Sequence, residues 1–477
     1  MSNTEVQNYK AELAKKTFWL FTGRAMPVII LFLITILYSR HLSYDNYGKF
    51  QSIWMYTNII NVFISFGITS VLLSSNLSFL FAFIKRHAIK IIFFYFFQWI
   101  IVLAVFFWYG KNFSSSTKFL LIVFIIIQNV ITILETLQIK NHKEKFVFSI
   151  NFIYAMLFFA WHYYILLNGF HLDNLIKGII IISLIKAFLL FFFKKNYVAV
   201  SAESGGDDSF MKHWIYLGLN DMFGVLAKWI DKLFLLYLLT AADFAVFFNG
   251  SFEIPLFALL VSVVGSVLLI DISSKVSEKQ NVIQIFNEGF RILSLIVFPL
   301  FLFLFFFRVE LFAIFFKHKY DASLPIFLIS IFILPVRINN YSSILQCYSS
   351  GKKILAGSAL DIFIIIILLL IFYPAMGTKG VAMSIVIGTY SQAFYYLWQS
   401  AKVLGTQVLT LLPVKILALR LISFTFAFAI FYFSIIKFSN EIKLLMGAIF
   451  TATVILISIY FYFAKKQLLS YVFTKKD

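Results

Sequence analysis

Apolar stretches of about 20 residues, each long enough to cross a bilayer, alternate along the chain with short polar connections. Fourteen spans follow from this pattern: 17–39, 49–74, 88–109, 117–139, 146–167, 174–193, 213–240, 246–271, 290–308, 322–346, 353–373, 379–399, 410–433 and 442–464. Basic residues gather in alternate connections. With the N-terminus inside and residues near span ends counted with the adjoining connection, twenty-three Lys and Arg fall on the inner side, eleven on the outer side and six deeper within spans. That bias predicts an all-α polytopic membrane protein with both termini in the cytoplasm.

The seventh span, HWIYLGLNDMFGVLAKWIDKLFLLYLLT at 213–240, departs from the others because it holds Asp221, Lys228, Asp231 and Lys232. At roughly 100° per residue, Asp221, Lys228 and Lys232 project within about 40° of one another, with Asp231 about 60° to one side of Lys228. Hydrocarbon does not tolerate a charged stripe, so this face must meet other helices or water.

Composition agrees with the pattern. The 477 residues are 61% hydrophobic, 20% aromatic and only 13% charged, with a mean hydropathy of +0.92; soluble domains carry about 25% charged residues. The net charge of +19 is spread in short runs between apolar segments, which argues for membrane topology and against nucleic acid as a partner. A single cysteine, Cys347, excludes an intrachain disulfide framework. The first 16 residues are polar and no small-residue cleavage site follows, so the first apolar run reads as an uncleaved helix.

The longest break, KKNYVAVSAESGGDDSFMK at 194–212, reads as a flexible cytoplasmic linker. On either side the chain repeats weakly. DNYGKF at 45–50 matches ADFAVF at 242–247, and LQIKNHKEKF at 137–146 matches LQCYSSGKKI at 345–354, in the same order and at equivalent span ends. The expected organisation is a six-helix lobe at 1–200, a linker at 201–212, a second six-helix lobe at 213–402, and two additional helices with a basic tail at 403–477. Duplicated halves around a path are a common transporter design.

Several segments carry a resemblance to a known family: SRHLSYDNYGKFQS at 39–52, WIDKLFLL at 229–236, ADFAVFFNGSFEIP at 242–255, ELFAIFFKHKYDASLPIF at 310–327, SSGKKILAGSALDI at 349–362 and YPAMGTKGVAMS at 373–384. In order and spacing they resemble the polysaccharide-transporter (O-antigen flippase) family of the multidrug/oligosaccharidyl-lipid/polysaccharide exporter superfamily. Ala245, where that pattern has Gly, and Phe316, before Lys317, depart from it. The resemblance implies a two-lobed bundle in the bacterial inner membrane. Its implied activity is to flip undecaprenyl-pyrophosphate-linked oligosaccharide units, by alternating access, for O-antigen, lipopolysaccharide or capsule synthesis. It also implies a functional monomer working among membrane lipids alongside a polysaccharide polymerase and chain-length machinery.

Within that reading Arg24 is a pyrophosphate donor, since a guanidinium fork matches phosphate oxygens; the plainer alternative is a snorkelling side chain or a structural ion pair. Lys228 and Lys232, like charges four residues apart, require nearby anions, and Asp231 can serve one of them. Arg337 follows Pro335, a predicted kink, and joins the candidate substrate-binding set. Asp221 sits opposite Arg24 in the repeat and is the candidate gate, pairing with it across the lobes. Asp231 and Glu253 are further gate or ion-coupling candidates, with Glu135 and Asp361 as additional buried acids that could carry a proton or sodium. Arg420 and Lys186 are weaker path candidates, and His162 is expected at the outer membrane interface. Asn58, Asn61, Gln98, Gln128, Asn129, Asn220, Asn339, Asn340 and Gln392 suit either sugar hydroxyls or bridges between helices.

No cofactor is expected. There is no nucleotide-binding glycine loop, which argues against an ATP-driven pump. The competing readings are a membrane polysaccharide polymerase or glycosyltransferase, whose catalytic loop the short outer connections do not supply, and a drug or cation exporter of the same superfamily.

Overall fold

In a computed structural model the chain is described over residues 3–74, 77–110, 113–141, 143–192, 207–251, 278–348 and 350–474, with a few further positions between 265 and 272. Arg24 lies on a described helix, but its side chain is outside the description, and Glu253 is outside it altogether. By internal contacts the chain divides into two compact units, Met1–Ala245 and Val246–Asp477.

The first unit is helical throughout its described length. Its helices are α1 (Asn3–His41), α2 (Tyr44–Ser65), α3 (Ile68–Ser74), α4 (Leu77–Arg86), α5 (Ala88–Tyr109), α6 (Ser115–Lys140), α7 (Glu144–Leu167), α8 (Leu172–Phe192) and α9 (Asp207–Leu238), with α10 (Ala241–Gly250) at its boundary. Starts are set locally. Ser43 and Ser114 stand before α2 and α6 with extended backbone, and their hydroxyls accept from Asn46 and Thr117 N–H groups. Each satisfies a donor that the helix itself leaves free. α1 runs beside α7 along its length: Trp19 meets Phe148 at one end, and Tyr38 donates to the His162 carbonyl at the other, at 3.0 Å. α6 and α8 are joined by Gln138, which donates to the Leu190 carbonyl at 2.9 Å. α9 packs on α2 and α3, so by its contacts it belongs with the first unit.

Two sequence expectations change here. The span at 49–74 is two helices, because α2 closes at Phe66 in the left-handed region (φ 35) and Gly67 follows at φ 72. His162 is fully buried among the rings of Tyr38, Phe50 and Phe158, not interfacial. Depth along a helix says where a residue sits between the membrane faces, but not which neighbours enclose it.

The second unit contains α11 (Lys279–Phe306), α12 (Arg308–Phe316), α13 (Leu324–Ser330), a tighter 3₁₀ segment Ile331–Val336, α14 (Ser343–Cys347), α15 (Gly351–Met376), α16 (Thr378–Leu404), α17 (Val408–Leu411), α18 (Val414–Ser434) and α19 (Asn440–Thr474). α15 and α16 form a close pair in which Gly357 faces Tyr396 and Gly388 faces Ile365. α11 packs on both α18 and α19. The segment around Pro335 bends as the proline predicts: α13 tightens into the 3₁₀ turn and the helical path then breaks at 337–342.

Among the described residues, eight helices are long and apolar enough to cross a membrane: α5, α6, α7, α8, α11, α15, α18 and α19. Of the six other expected spans, 17–39 and 379–399 lie on the continuous helices α1 and α16, outside the eight, and the remaining four are interrupted or undescribed. The break at Phe66–Gly67 divides one, the charges of α9 another and the 3₁₀ segment a third, while 246–271 lies largely outside the described residues.

Candidate functional site

In the first unit the polar features converge on α9. The backbone break after α2 lies directly on it: a Cβ added to Gly67 would stand 2.6 Å from the Gly218 backbone nitrogen, and one added to Gly218 would stand 2.8 Å from the Phe66 ring. Only glycine permits that approach. Three residues beyond each glycine, Ser70 on α3 donates its hydroxyl to Asp221 Oδ2 at 2.8 Å. On the other side, Trp214 Nε1 donates to the Phe66 carbonyl at 2.9 Å, meeting an acceptor that the helix end leaves open.

Further along α9 the charges divide by environment. Asp231 is 3% exposed and accepts from its neighbour Lys232 at 3.0 Å; its second oxygen, Oδ1, has no hydrogen-bond partner among the described residues. Lys228 is exposed. The Lys228 and Lys232 ammonium groups lie 6.0 Å and 5.6 Å from the centre of the Trp229 ring, a distance at which a π face attracts a cation. One indole thus bridges the pair of like charges. Asp221, Lys228, Asp231 and Lys232 are therefore held on one helix, with Asp221 tied to α3 and Asp231 to Lys232.

A second polar cluster, between α6, α7 and α8, is where Glu135 and Lys186 meet. Lys186 Nζ lies 2.7 Å from Glu135 Oε1 and 4.4 Å from the Tyr154 ring centre, while Gln128 donates to Ser183 at 3.1 Å. Sequence reasoning named Glu135, Lys186 and Gln128 singly. Nothing in their spacing announced that α6 and α8 bring them together, with Tyr154 of α7 beside them.

In the second unit Arg337 is placed by the break after Pro335, and Asp361 on α15 is near enough for the opposite charges to attract. Asp361 is 5% exposed, and its Oδ1 has no hydrogen-bond partner among the described residues. Asn339 anchors the broken segment by donating to the Phe286 carbonyl at 2.9 Å. Arg420 joins α18 to α11 by donating to Ser294 Oγ at 2.8 Å and to the Arg291 carbonyl. An ion pair that sequence reasoning missed lies where α12, α18 and α19 meet: Glu310, 1% exposed, accepts from Lys443 at 2.6 Å and from Tyr432 at 3.1 Å. Glu310 lies between two expected spans and Lys443 at the edge of the last one, so their burial has no signature in hydropathy. Among the described residues no group of three or more His, Cys, Asp or Glu side chains is arranged to hold a metal ion.

A family model described as polysaccharide biosynthesis protein matches residues 37–325. The chain belongs to that family. No curated protein matches it in sequence. Among solved structures, the lipid II flippase MurJ in an inward closed conformation superposes with a TM-score of 0.66 at 17% identity, over 95% of this chain and 99% of that one. A multidrug-resistance MATE transporter of the MOP superfamily, in an inward-facing conformation, gives 0.56 at 12% identity over 81% and 98%. A MOP-superfamily transporter from Pyrococcus furiosus gives 0.58 at 12% identity over 82% and 95%. The fold of this family member is thus the polytopic MurJ/MATE-like membrane fold.

Proposed function

We propose that this polysaccharide biosynthesis protein is a flippase. It moves undecaprenyl-pyrophosphate-linked oligosaccharide repeat units across the bacterial inner membrane by exposing a cationic path to each side in turn. The observation that carries the reading is α9: a largely apolar helix of a polysaccharide-synthesis protein that holds Asp221, Lys228, Asp231 and Lys232 within about three turns. A polar sugar head cannot cross about 30 Å of hydrocarbon unaided, and interior charge is the means by which proteins provide such a route. The likeness to the MurJ fold supports a lipid-linked cargo.

In this reading the chain crosses the membrane fourteen times with both termini in the cytoplasm, a topology that the bias of Lys and Arg supports. Arg24, Lys228, Lys232 and Arg337 receive the pyrophosphate. Asp221 gates the path, exchanging between Ser70 and Arg24. Asp231 holds Lys232 in place, and Glu253 takes part in proton or sodium coupling. The surface polymer is an O-antigen or a capsule, completed by a separate polymerase and its chain-length machinery.

The test is a deletion strain whose lipid-linked sugars are assigned to a leaflet. Single repeat units should accumulate facing the cytoplasm. Unpolymerised units in the outer leaflet would make the protein a polymerase instead. The gate has its own test: Arg24→Asp combined with Asp221→Arg should recover export lost in either single variant, and no recovery in well-expressed protein would eliminate it.

A further inference from the structure

The joint between α2 and α9 also shapes a groove on the outer flank of the first unit. Trp214 is fixed by its bond to the Phe66 carbonyl, and Tyr95 on α5 by its hydroxyl bond to the Ser65 carbonyl at 3.3 Å. Between them lies a cavity of about 140 Å³ whose walls are Phe66, Ile91, Phe94, Met211, Trp214 and Ile215, with the Tyr95 hydroxyl already engaged. Lys90 is the one charged side chain in the lining.

We propose that this groove binds an anionic phospholipid, one acyl chain lying against the aromatic wall and the phosphate held by Lys90. Three observations favour that occupant. First, α5 is a membrane-spanning helix by length and hydropathy and leaves most of its side chains outward; Ile92, Phe93 and Phe97 are exposed beside the groove, so the groove opens on lipid. Secondly, Lys90 is in the first turn of α5, at the level where a chain's headgroup sits when its tail enters the apolar wall. Thirdly, the charge in the lining is left open: Lys90 is exposed, and among the described residues its side chain forms no ion pair or hydrogen bond. Cations left open at a membrane surface attract anionic lipid. The small volume and aromatic lining suit a single acyl chain and a compact phosphate rather than a sugar-bearing head. The inference does not depend on which substrate the protein transports.

The test uses the full chain in nanodiscs of phosphatidylcholine containing phosphatidylglycerol, with retained lipid read by native mass spectrometry. Wild-type protein should retain phosphatidylglycerol about fivefold over phosphatidylcholine, the preference one surface lysine confers. Lys90→Ala should bring the ratio close to parity, and Ile215→Trp, which fills the groove, should lose the retained lipid altogether. Lys177→Ala removes an exposed lysine of α8 and should keep the preference. Equal retention of both lipids by wild type, an unchanged ratio in Lys90→Ala, or displacement of the phosphatidylglycerol by added polyprenyl phosphate would each overturn the proposal.

Discussion

Ser70 and Asp221 are joined by a hydrogen bond of 2.8 Å that ties the short helix after the break in α2 to the charged helix α9. Its role separates into a bond and a charge. Ser70→Ala should cost about 1 kcal/mol, as for an ordinary interhelical hydrogen bond, measured by reversible unfolding in detergent. Asp221→Asn keeps an acceptor for Ser70 and should leave stability close to wild type while lowering export. An Asp221→Asn variant with full export would show that the bond matters and the charge does not.

Two glycines of α9 should respond oppositely to alanine. Gly218 lies against the Phe66 ring, and nothing stands within 4 Å of a Cβ at Gly224. Gly218→Ala must push the joint apart and should cost roughly 1–3 kcal/mol. Gly224→Ala should be neutral or stabilise by up to about 1 kcal/mol from helix propensity. Thermal midpoints of the two variants, purified in parallel, check the contrast.

Glu135 and Lys186 form a largely enclosed ion pair. Removing one partner strands the other, so Glu135→Ala should cost about 3 kcal/mol. Replacing both, as Glu135→Leu with Lys186→Met, should recover most of that loss because no charge remains to be solvated. A double variant as unstable as the single one would assign the cluster's worth to packing around Tyr154 and Gln128 instead.

Glu310 has the same logic at the junction of α12, α18 and α19, where Lys443 and Tyr432 share one of its oxygens. Glu310→Ala should release the start of α19 more than it unfolds the rest. Hydrogen exchange over residues 440–446 should quicken at least about tenfold, equivalent to roughly 1.4 kcal/mol of local stability, with little change in α6 or α7.

Hydropathy and the distribution of Lys and Arg made the membrane class legible, because the bilayer demands long apolar helices. Pro335 likewise announced its bend, since proline's effect is local to the backbone. The polar face of α9 was also readable from its spacing, but its partners were not. Ser70 reaches Asp221 only because Phe66 and Gly67 turn the chain out of α2, and a Phe-Gly pair inside an apolar run does not disturb hydropathy. His162 shows the same limit. Its place near the end of its expected span gave no sign of the enclosing rings, which come from α1 and α2 as well as its own helix.

The close contact of Gly67 with Gly218 has a mechanical consequence. Backbone meets backbone there, so α9 can neither roll nor slip by a turn at that point without parting from α3, yet it can tilt. Gly218 is eleven residues from the start of α9 and twenty from its end, arms of about 16 and 30 Å at 1.5 Å per residue. The contact is then a fulcrum with a leverage of nearly two. A small displacement at Met211 should appear enlarged and reversed near Leu236, and spin labels at those two positions would register the opposed motion.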